Sequence, residues 1–260
     1  MRQRNVSLRQ GALPRPRLYP SPAARQRAFR AKQRRAAVAP HVPCRQFGPH
    51  CTVYCGDWKD VAALFPRQAA IVTDPPYRVG KAGFDYTKTR WRPSHWDQNY
   101  VGVDQPFDPT PLLGFPEVVL FGADHYWNRL PAGGSWLCWD KTPGQAPSDF
   151  SSCKWVWLSK AGPPRYFPHL YRGGMRKGEE NYVHLPQKLH SAQKPIDLLT
   201  FLVEQTMAPV VIDPFMGSGT TLAACVRLRR PCIGIELDPA YFAVACARLQ
   251  QEVEAGGLLA

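Results

Sequence analysis

Residues 210–253 constrain this chain more than any other stretch. An apolar run of strand length at 210–212 leads into Asp213-Pro214-Phe215-Met216-Gly217-Ser218-Gly219-Thr220-Thr221. Helical spacing follows over 220–230, then a second apolar run over 232–236 and a second helical pattern over 239–253. Asp238-Pro239 is suited to start that last helix, with Asp as the cap and Pro at the first helical position. Upstream, residues 52–55, 69–73, 118–122 and 135–139 are apolar runs of strand length. Residues 195–207 carry Ile196, Leu199, Leu202 and Val203 on one helical face. Strands alternating with helices predict a parallel α/β sheet, which binds ligands at the carboxyl ends of its strands. A chain of 260 residues, 44% of them hydrophobic, suffices for one such domain with a full core and a small insertion.

The formal charge is +13, and its placement says more than its size. Residues 1–35 hold ten Arg, one Lys and no acid, which leaves 22 basic against 20 acidic residues in the rest. The excess is therefore an arm, assigned to residues 1–43, preceding a domain over 44–260. Such an arm suits a polyanion, because each phosphate it neutralises releases a condensed counterion. A solvated leader and an Arg-rich transit peptide fit the same composition. No run of 18 apolar residues occurs, so no membrane span is expected. Eight Cys are scattered without Cys-x-x-Cys spacing, which reads as reduced cytosolic thiols in a cytoplasmic protein. Cys44, His50, Cys51 and Cys55 match no common zinc module, and no metal is assigned.

The turn at 213–221 places two glycines between a strand and a helix, where backbone can approach a ligand closely. Glu236 ends the next strand, 19 residues after Gly217, and an acid there can accept hydrogen bonds from both hydroxyls of a ribose. Three glycines spaced for a pyrophosphate are absent, and no Walker lysine follows Gly219. A nucleoside cofactor without phosphates is favoured, and S-adenosylmethionine meets that condition. A glycine turn that serves packing alone stays open.

The most specific segment is Ile71-Val72-Thr73-Asp74-Pro75-Pro76-Tyr77. A buried strand delivers an acid, two prolines and an aromatic at its carboxyl end. The prolines stiffen the turn and remove two backbone donors, leaving carbonyls as acceptors. Asp74 and the Pro75 carbonyl can hold the two N–H groups of an exocyclic amine and turn its lone pair toward an electrophilic methyl. Tyr77 can stack on the base. A strand-ending Pro-Pro turn with a capping Asp is the bland alternative.

Asp74-Pro75-Pro76-Tyr77 followed by Asp213-Pro214-Phe215-x-Gly217-x-Gly219-Thr220-Thr221 closely resembles the amino-methyltransferases of DNA, in the order of their β group. The resemblance implies that Asp57, in Gly56-Asp57, contacts the adenine of the cofactor. His190 and Lys194, in His190-Ser191-Ala192-Gln193-Lys194-Pro195, fall beside its methionine end, and Glu236 takes its ribose. Asp213, Phe215, Gly217, Gly219 and Thr220 complete the implied cofactor site; Asp74, Pro75, Pro76 and Tyr77 form the implied catalytic site. The implied fold is Rossmann-like, a seven-stranded mostly parallel sheet with helices on both faces and a small target-recognition insertion.

The implied activity is methyl transfer from S-adenosylmethionine to N6 of adenine in double-stranded DNA after base flipping. The enzyme would be of the solitary bacterial or phage type, with no required nuclease partner and with a homodimer left open. N4 of cytosine, an RNA or protein substrate, and a catalytically inactive DNA-binding protein are the alternatives. Target recognition is placed at 141–189, where Lys141, Lys154, Lys160, Arg165, Arg172, Arg176 and Lys177 interleave with Trp155, Trp157, Tyr166 and Tyr171. Residues 78–100 are expected to be a loop closing over DNA. Cys232 is set aside as a nucleophile, because it begins a strand and so lies at the wrong end of the sheet.

Overall fold

The structure is a computed structural model that describes residues 42–76, 107–146, 151–172, 175–176 and 193–256. The amino-terminal segment up to residue 41, Tyr77, the loop expected at 78–100, His190, Lys177 and much of the proposed recognition segment lie outside the described residues.

Among the described residues eleven strands occur in chain order: β1 (Cys44–Phe47), β2 (Cys51–Cys55), β3 (Ala70–Thr73), β4 (Glu117–Phe121), β5 (Ser135–Asp140), β6 (Cys153–Leu158), β7 (Arg165–Pro168), β8 (Tyr171–Arg172), β9 (Met175–Arg176), β10 (Val211–Asp213) and β11 (Cys232–Glu236). The helices are α1 (Trp58–Val61), α2 (Ile196–Glu204), α3 (Thr220–Arg227) and α4 (Pro239–Ala255). Nine strands form one sheet in the order β1-β2-β11-β10-β3-β4-β6-β5-β7, and β8 and β9 pair separately. The five neighbours from β2 to β4 are all parallel, whereas β1 pairs antiparallel with β2, and β6 pairs antiparallel with both β4 and β5.

The parallel centre, with helices on both faces, follows from its composition. Ala70, Ile71, Val72 and Thr73 are all fully buried, as expected of a strand covered on both faces. Val72, Val119, Phe121 and Val211 join one apolar cluster with Leu199 and Leu202 of α2, Leu222 of α3, and Phe242 and Leu249 of α4. Ile71, Val118, Leu120, Ile212 and Ile235 point the other way, into a cluster with Val61, Phe65, Leu112 and Tyr126. Each fully buried Leu or Ile of this kind stabilises the fold by roughly 1.5–3 kcal/mol. The Asp238 side chain accepts hydrogen bonds from the Ala240 and Tyr241 amides at 2.7 and 3.3 Å, with Pro239 behind it, so α4 starts where its sequence signal placed it.

The sheet has nine strands where seven are expected, and the extra ones lie at its edges. β1 buries only Phe47 and β7 buries no residue, so neither carries the alternation that marks a strand. β1 forms a hairpin with β2 at one edge of the sheet. The segment from 141 onward is also not wholly an insertion. β6 pairs along its length with β5, and Trp157 is 2% exposed, opposite Trp136. Trp157 is thus a core residue and not a surface for DNA.

β3 and β10 are adjacent, yet the chain continues from β3 to β4 on one side and from β10 to β11 on the other. This reversal of strand order opens a crevice at the carboxyl ends, where open α/β sheets bind ligands.

Candidate functional site at the switch point

Four strands end at this crevice, and each brings a residue singled out by sequence. β2 ends in Gly56-Asp57, β11 in Glu236, β10 in Asp213, and β3 runs into Asp74-Pro75-Pro76. The Gly56 amide donates to the Glu236 carbonyl at 2.8 Å, which ties the β2 turn to the end of β11. Asp57 caps α1, its Oδ1 accepting the Lys59 amide at 2.9 Å.

The turn after β10 is built from backbone. Gly217 and Gly219 adopt φ of +52° and +77°, a left-handed conformation that side-chain-bearing residues rarely take. The Gly217 amide donates to Glu236 Oε2 and the Asp238 amide to Oε1, both at 2.9 Å. These two bonds fix the carboxylate at the mouth of the crevice. A carboxylate has about four lone-pair positions, so acceptor capacity remains. Burial is the main cause that raises the Glu236 carboxyl above its ordinary value; the two amides pull the other way, and Asp238 and Asp213 add to the rise.

Asp213 is 2% exposed. It accepts the Thr73 hydroxyl at 2.6 Å and the Phe215 amide at 3.1 Å. Burial pushes its carboxyl up to about 6, although hydrogen bonds from Thr221, Thr73 and Phe215 lower it. Thr73 was not singled out from sequence. A hydroxyl in a fully buried strand must find a partner, and that requirement was the available signal.

The Phe215 ring meets Trp58 at 6.2 Å and Phe107 at 5.8 Å, both edge to face, and Phe107 meets Tyr126 at 5.1 Å. Trp58, Phe107 and Tyr126 form this aromatic wall beside the turn, and no motif marked them. Thr220 is buried, and its hydroxyl accepts from Arg248 Nη1 at 2.8 Å, so it ties α3 to α4.

The turn after β3 is different. Asp74 Oδ2 accepts a hydrogen bond from Lys194 Nζ, within an ion pair. Asp74 Oδ1 is buried with no hydrogen-bond partner among the described residues. Lys194, expected beside the cofactor, is thus found on the Asp74 carboxylate. Cys232 opens β11 at the opposite end of the sheet, buried beside Cys51 and Cys225. Among the described residues no group of three or more His, Cys, Asp or Glu is placed to hold a metal, and no helix is long and apolar enough to cross a membrane.

Residues 139–247 match the sequence profile of the DNA methylase family. The chain is 45% identical over 67 residues to the type II methyltransferase M.HinfI of Haemophilus influenzae, an alignment covering 25% of this chain and 19% of that protein. It is 42% identical over 62 residues to M.HindIII, also of Haemophilus influenzae, covering 23% and 20%. The chain thus spans about a fifth of the length of the curated relatives it matches. In fold it is similar to the PvuII DNA methyltransferase, cytosine-N4-specific, with a TM-score of 0.51 and 17% identity over 81% of this chain and 93% of that one.

Proposed function

We propose that this chain, a relative of the N6 and N4 DNA methylases by motif, matched segment and fold, transfers a methyl group from S-adenosylmethionine to an exocyclic amine of duplex DNA, N6 of adenine. The observation that carries the reading is Asp74 Oδ1, a buried carboxylate oxygen with no hydrogen-bond partner among the described residues. Leaving such a group unpaired costs about 1–3 kcal/mol or more, a cost that an incoming N–H donor removes.

The cofactor fits the neighbouring turn. Glu236 Oε1 and Oε2 each hold one amide and keep capacity for the two ribose hydroxyls. The left-handed glycines clear a path for backbone contact, and Phe215 with Trp58 gives an apolar wall for an adenine. Asp57, at the end of β2, is placed to address the edge of that adenine. Bound there, S-adenosylmethionine supplies a methyl group on a sulfonium, an electrophile the amine nitrogen can attack directly.

The protein's part is alignment. The target base lies in a duplex and must be flipped out, at a cost of a few kcal/mol that stacking on Tyr77 and hydrogen bonds to the base edge offset. Asp74 Oδ1 takes one amine N–H and the Pro75 carbonyl takes the other, which draws the lone pair out of conjugation with the ring. The charge of Asp74 then stabilises the cation that develops on nitrogen, and the surplus proton leaves to solvent. No cysteine nucleophile is needed, because the amine itself attacks. Alignment of this sort supplies most of the expected rate. The chemistry requires no nuclease partner, and the arm at 1–43 adds phosphate contacts that carry no sequence information.

The test is transfer of a tritiated methyl group into duplex DNA by the full chain, followed by nucleoside mass spectrometry. N6-methyladenine is expected. N4-methylcytosine, the product of a cytosine-N4-specific enzyme such as the PvuII methyltransferase, would overturn the base assignment but leave the amine chemistry standing. No transfer to DNA would overturn the reading.

A further inference from the structure

Lys194 precedes Pro195, the cap of α2, and the chain brings it from 120 residues away onto the turn after β3. Its Nζ donates to Asp74 Oδ2 and lies 5.4 Å from the centre of the Phe121 ring on β4. The Lys194 and Asp74 side chains are only 11% and 22% exposed, and Phe121 is buried. An ion pair this withdrawn from water is weak evidence of stabilisation, since desolvation offsets much of the attraction. It does restrict geometry. The two prolines fix the backbone of the turn but leave the Asp74 carboxylate free to rotate about its last torsion, which is broad for this residue.

We propose that Lys194 is the positioning residue of Asp74: its ammonium, seated over the Phe121 ring, holds Oδ2 and so locks the carboxylate with Oδ1 alone facing the amine. The inference rests on the methyltransferase reading above and departs from the cofactor-side role that the sequence resemblance implies for Lys194. One oxygen is anchored by a cation; the other is buried with no hydrogen-bond partner among the described residues, which is the division a two-point grip on an amine requires. Lys194 also balances a local excess of negative charge, because Asp74 and Asp213 feel each other across β3 and β10.

The experiment uses the full chain with Lys194→Met, Lys194→Gln and Lys194→Arg. Cofactor affinity is read by calorimetry, thermal midpoint by unfolding, and kcat and KM with duplex DNA. Lys194→Met keeps the apolar stem over Phe121 and removes the ammonium. It should leave cofactor affinity and KM within about threefold and lower kcat about a hundredfold, the cost of a misaligned reacting group. Lys194→Gln should behave alike, and Lys194→Arg should recover much of the rate, since a cation within reach of Oδ2 is restored. In an Asp74→Asn background, where the anchored charge is already gone, Lys194→Met should cost no more than about threefold further, as coupled residues do. Cofactor affinity weakened about tenfold or more in Lys194→Met, with kcat kept at saturating cofactor, would overturn the proposal and return Lys194 to the cofactor site. Full additivity with Asp74→Asn would overturn it as well. Failure of the underlying reading is distinguishable, because the wild-type protein would then transfer no methyl to DNA.

Discussion

After β10, Asp213 is held by Thr73 and Phe215, and Glu236 by the amides of Gly217 and Asp238. After β3, one strand away, Asp74 is held on one oxygen by Lys194 and on the other by no hydrogen-bond partner among the described residues. The first turn is finished by the protein's own backbone and stands ready whether or not a ligand arrives. On the proposed function, the second is finished when an N–H donor enters, and the difference corresponds to two tasks, binding a cofactor of fixed shape and gripping a base that must first leave a duplex. Substitutions should therefore separate the turns: those after β3 should change rate, and those after β10 should change affinity and stability.

The largest expected effect is Asp74→Ala. Methyl transfer should fall by roughly a thousandfold or more, the scale of removing a preorganised electrostatic contact, while calorimetric cofactor affinity stays close to wild type. Asp74→Asn keeps an acceptor but loses the charge, and charge-assisted hydrogen bonds are roughly twice as strong as neutral ones, so a large loss with residual activity is expected. A wild-type rate in Asp74→Ala would break the comparison at its catalytic end. An equal loss of cofactor affinity would merge the two turns into one.

Asp213 offers a pH test on the other side. Its carboxyl is raised to about 6 from an ordinary value of 3.8, chiefly by burial. Between those values the folded protein holds more protons than the unfolded chain, so this group's contribution to stability is complete below about pH 4 and is lost as pH rises through about 6. Asp213→Asn keeps an oxygen for Thr73 and Phe215 and removes the titration. The stability of Asp213→Asn relative to wild type should thus rise from about pH 4 to about pH 7, by about 3 kcal/mol at most. Urea unfolding of both proteins at matched pH reads this, and a difference that stays flat would show that Asp213 does not enter the fold with a raised affinity for protons.

Glu236→Ala should weaken S-adenosylmethionine by roughly 1–3 kcal/mol, the scale of lost hydrogen bonds to a charged acceptor. The rate at saturating cofactor should change little. Glu236→Gln keeps one acceptor oxygen and should fall between. Unchanged calorimetric affinity in Glu236→Ala would remove it from the ribose site.

These two turns were also the most legible part of the sequence, for a physical reason. A buried parallel strand must be apolar on both faces, so β3, β10 and β11 read as unbroken runs, and the acids and glycines that end them stand out by contrast. β6 has the same apolar run, but its Lys154, Trp155 and Trp157 also match a stacking surface for nucleic acid, and composition could not separate the two. Pairing with β4 and β5 buries Trp157, whereas Trp155 stays 39% exposed. β1 and β7 were silent because edge strands expose most of their side chains. The Lys194–Asp74 pair was silent for another reason: a contact between residues 120 apart leaves no local pattern. The aromatic wall of Trp58, Phe107 and Tyr126 comes from three separate segments and was hidden in the same way.

The smallest expected effect is at Gly219, and it asks how far the turn after β10 is fixed before any ligand binds. Gly219 caps α3 at φ +77°, and a Cβ there would lie 3.2 Å from the Ala245 Cβ on α4. Gly219→Ala therefore meets two opposing surfaces at once. A left-handed conformation costs an L-residue roughly 1–2 kcal/mol, and the contact with Ala245 adds a few tenths of an ångström of forced movement between α3 and α4. Because Ala245 belongs to the core, part of the penalty should appear as lost stability without ligand, by about 1–2 kcal/mol in urea unfolding. The rest should appear as weaker S-adenosylmethionine, since the Gly217 amide that steadies Glu236 sits two residues away. The double substitution Gly219→Ala with Ala245→Gly distinguishes these parts. Removing the Ala245 methyl relieves the contact but not the backbone strain, and Gly within α4 costs roughly 1 kcal/mol of its own. If packing dominates, the two changes should be less than additive in stability; if strain dominates, they should add. Unchanged stability and unchanged cofactor affinity in Gly219→Ala would mean that this turn rearranges freely, and the contrast between a finished turn and an unfinished one would be lost.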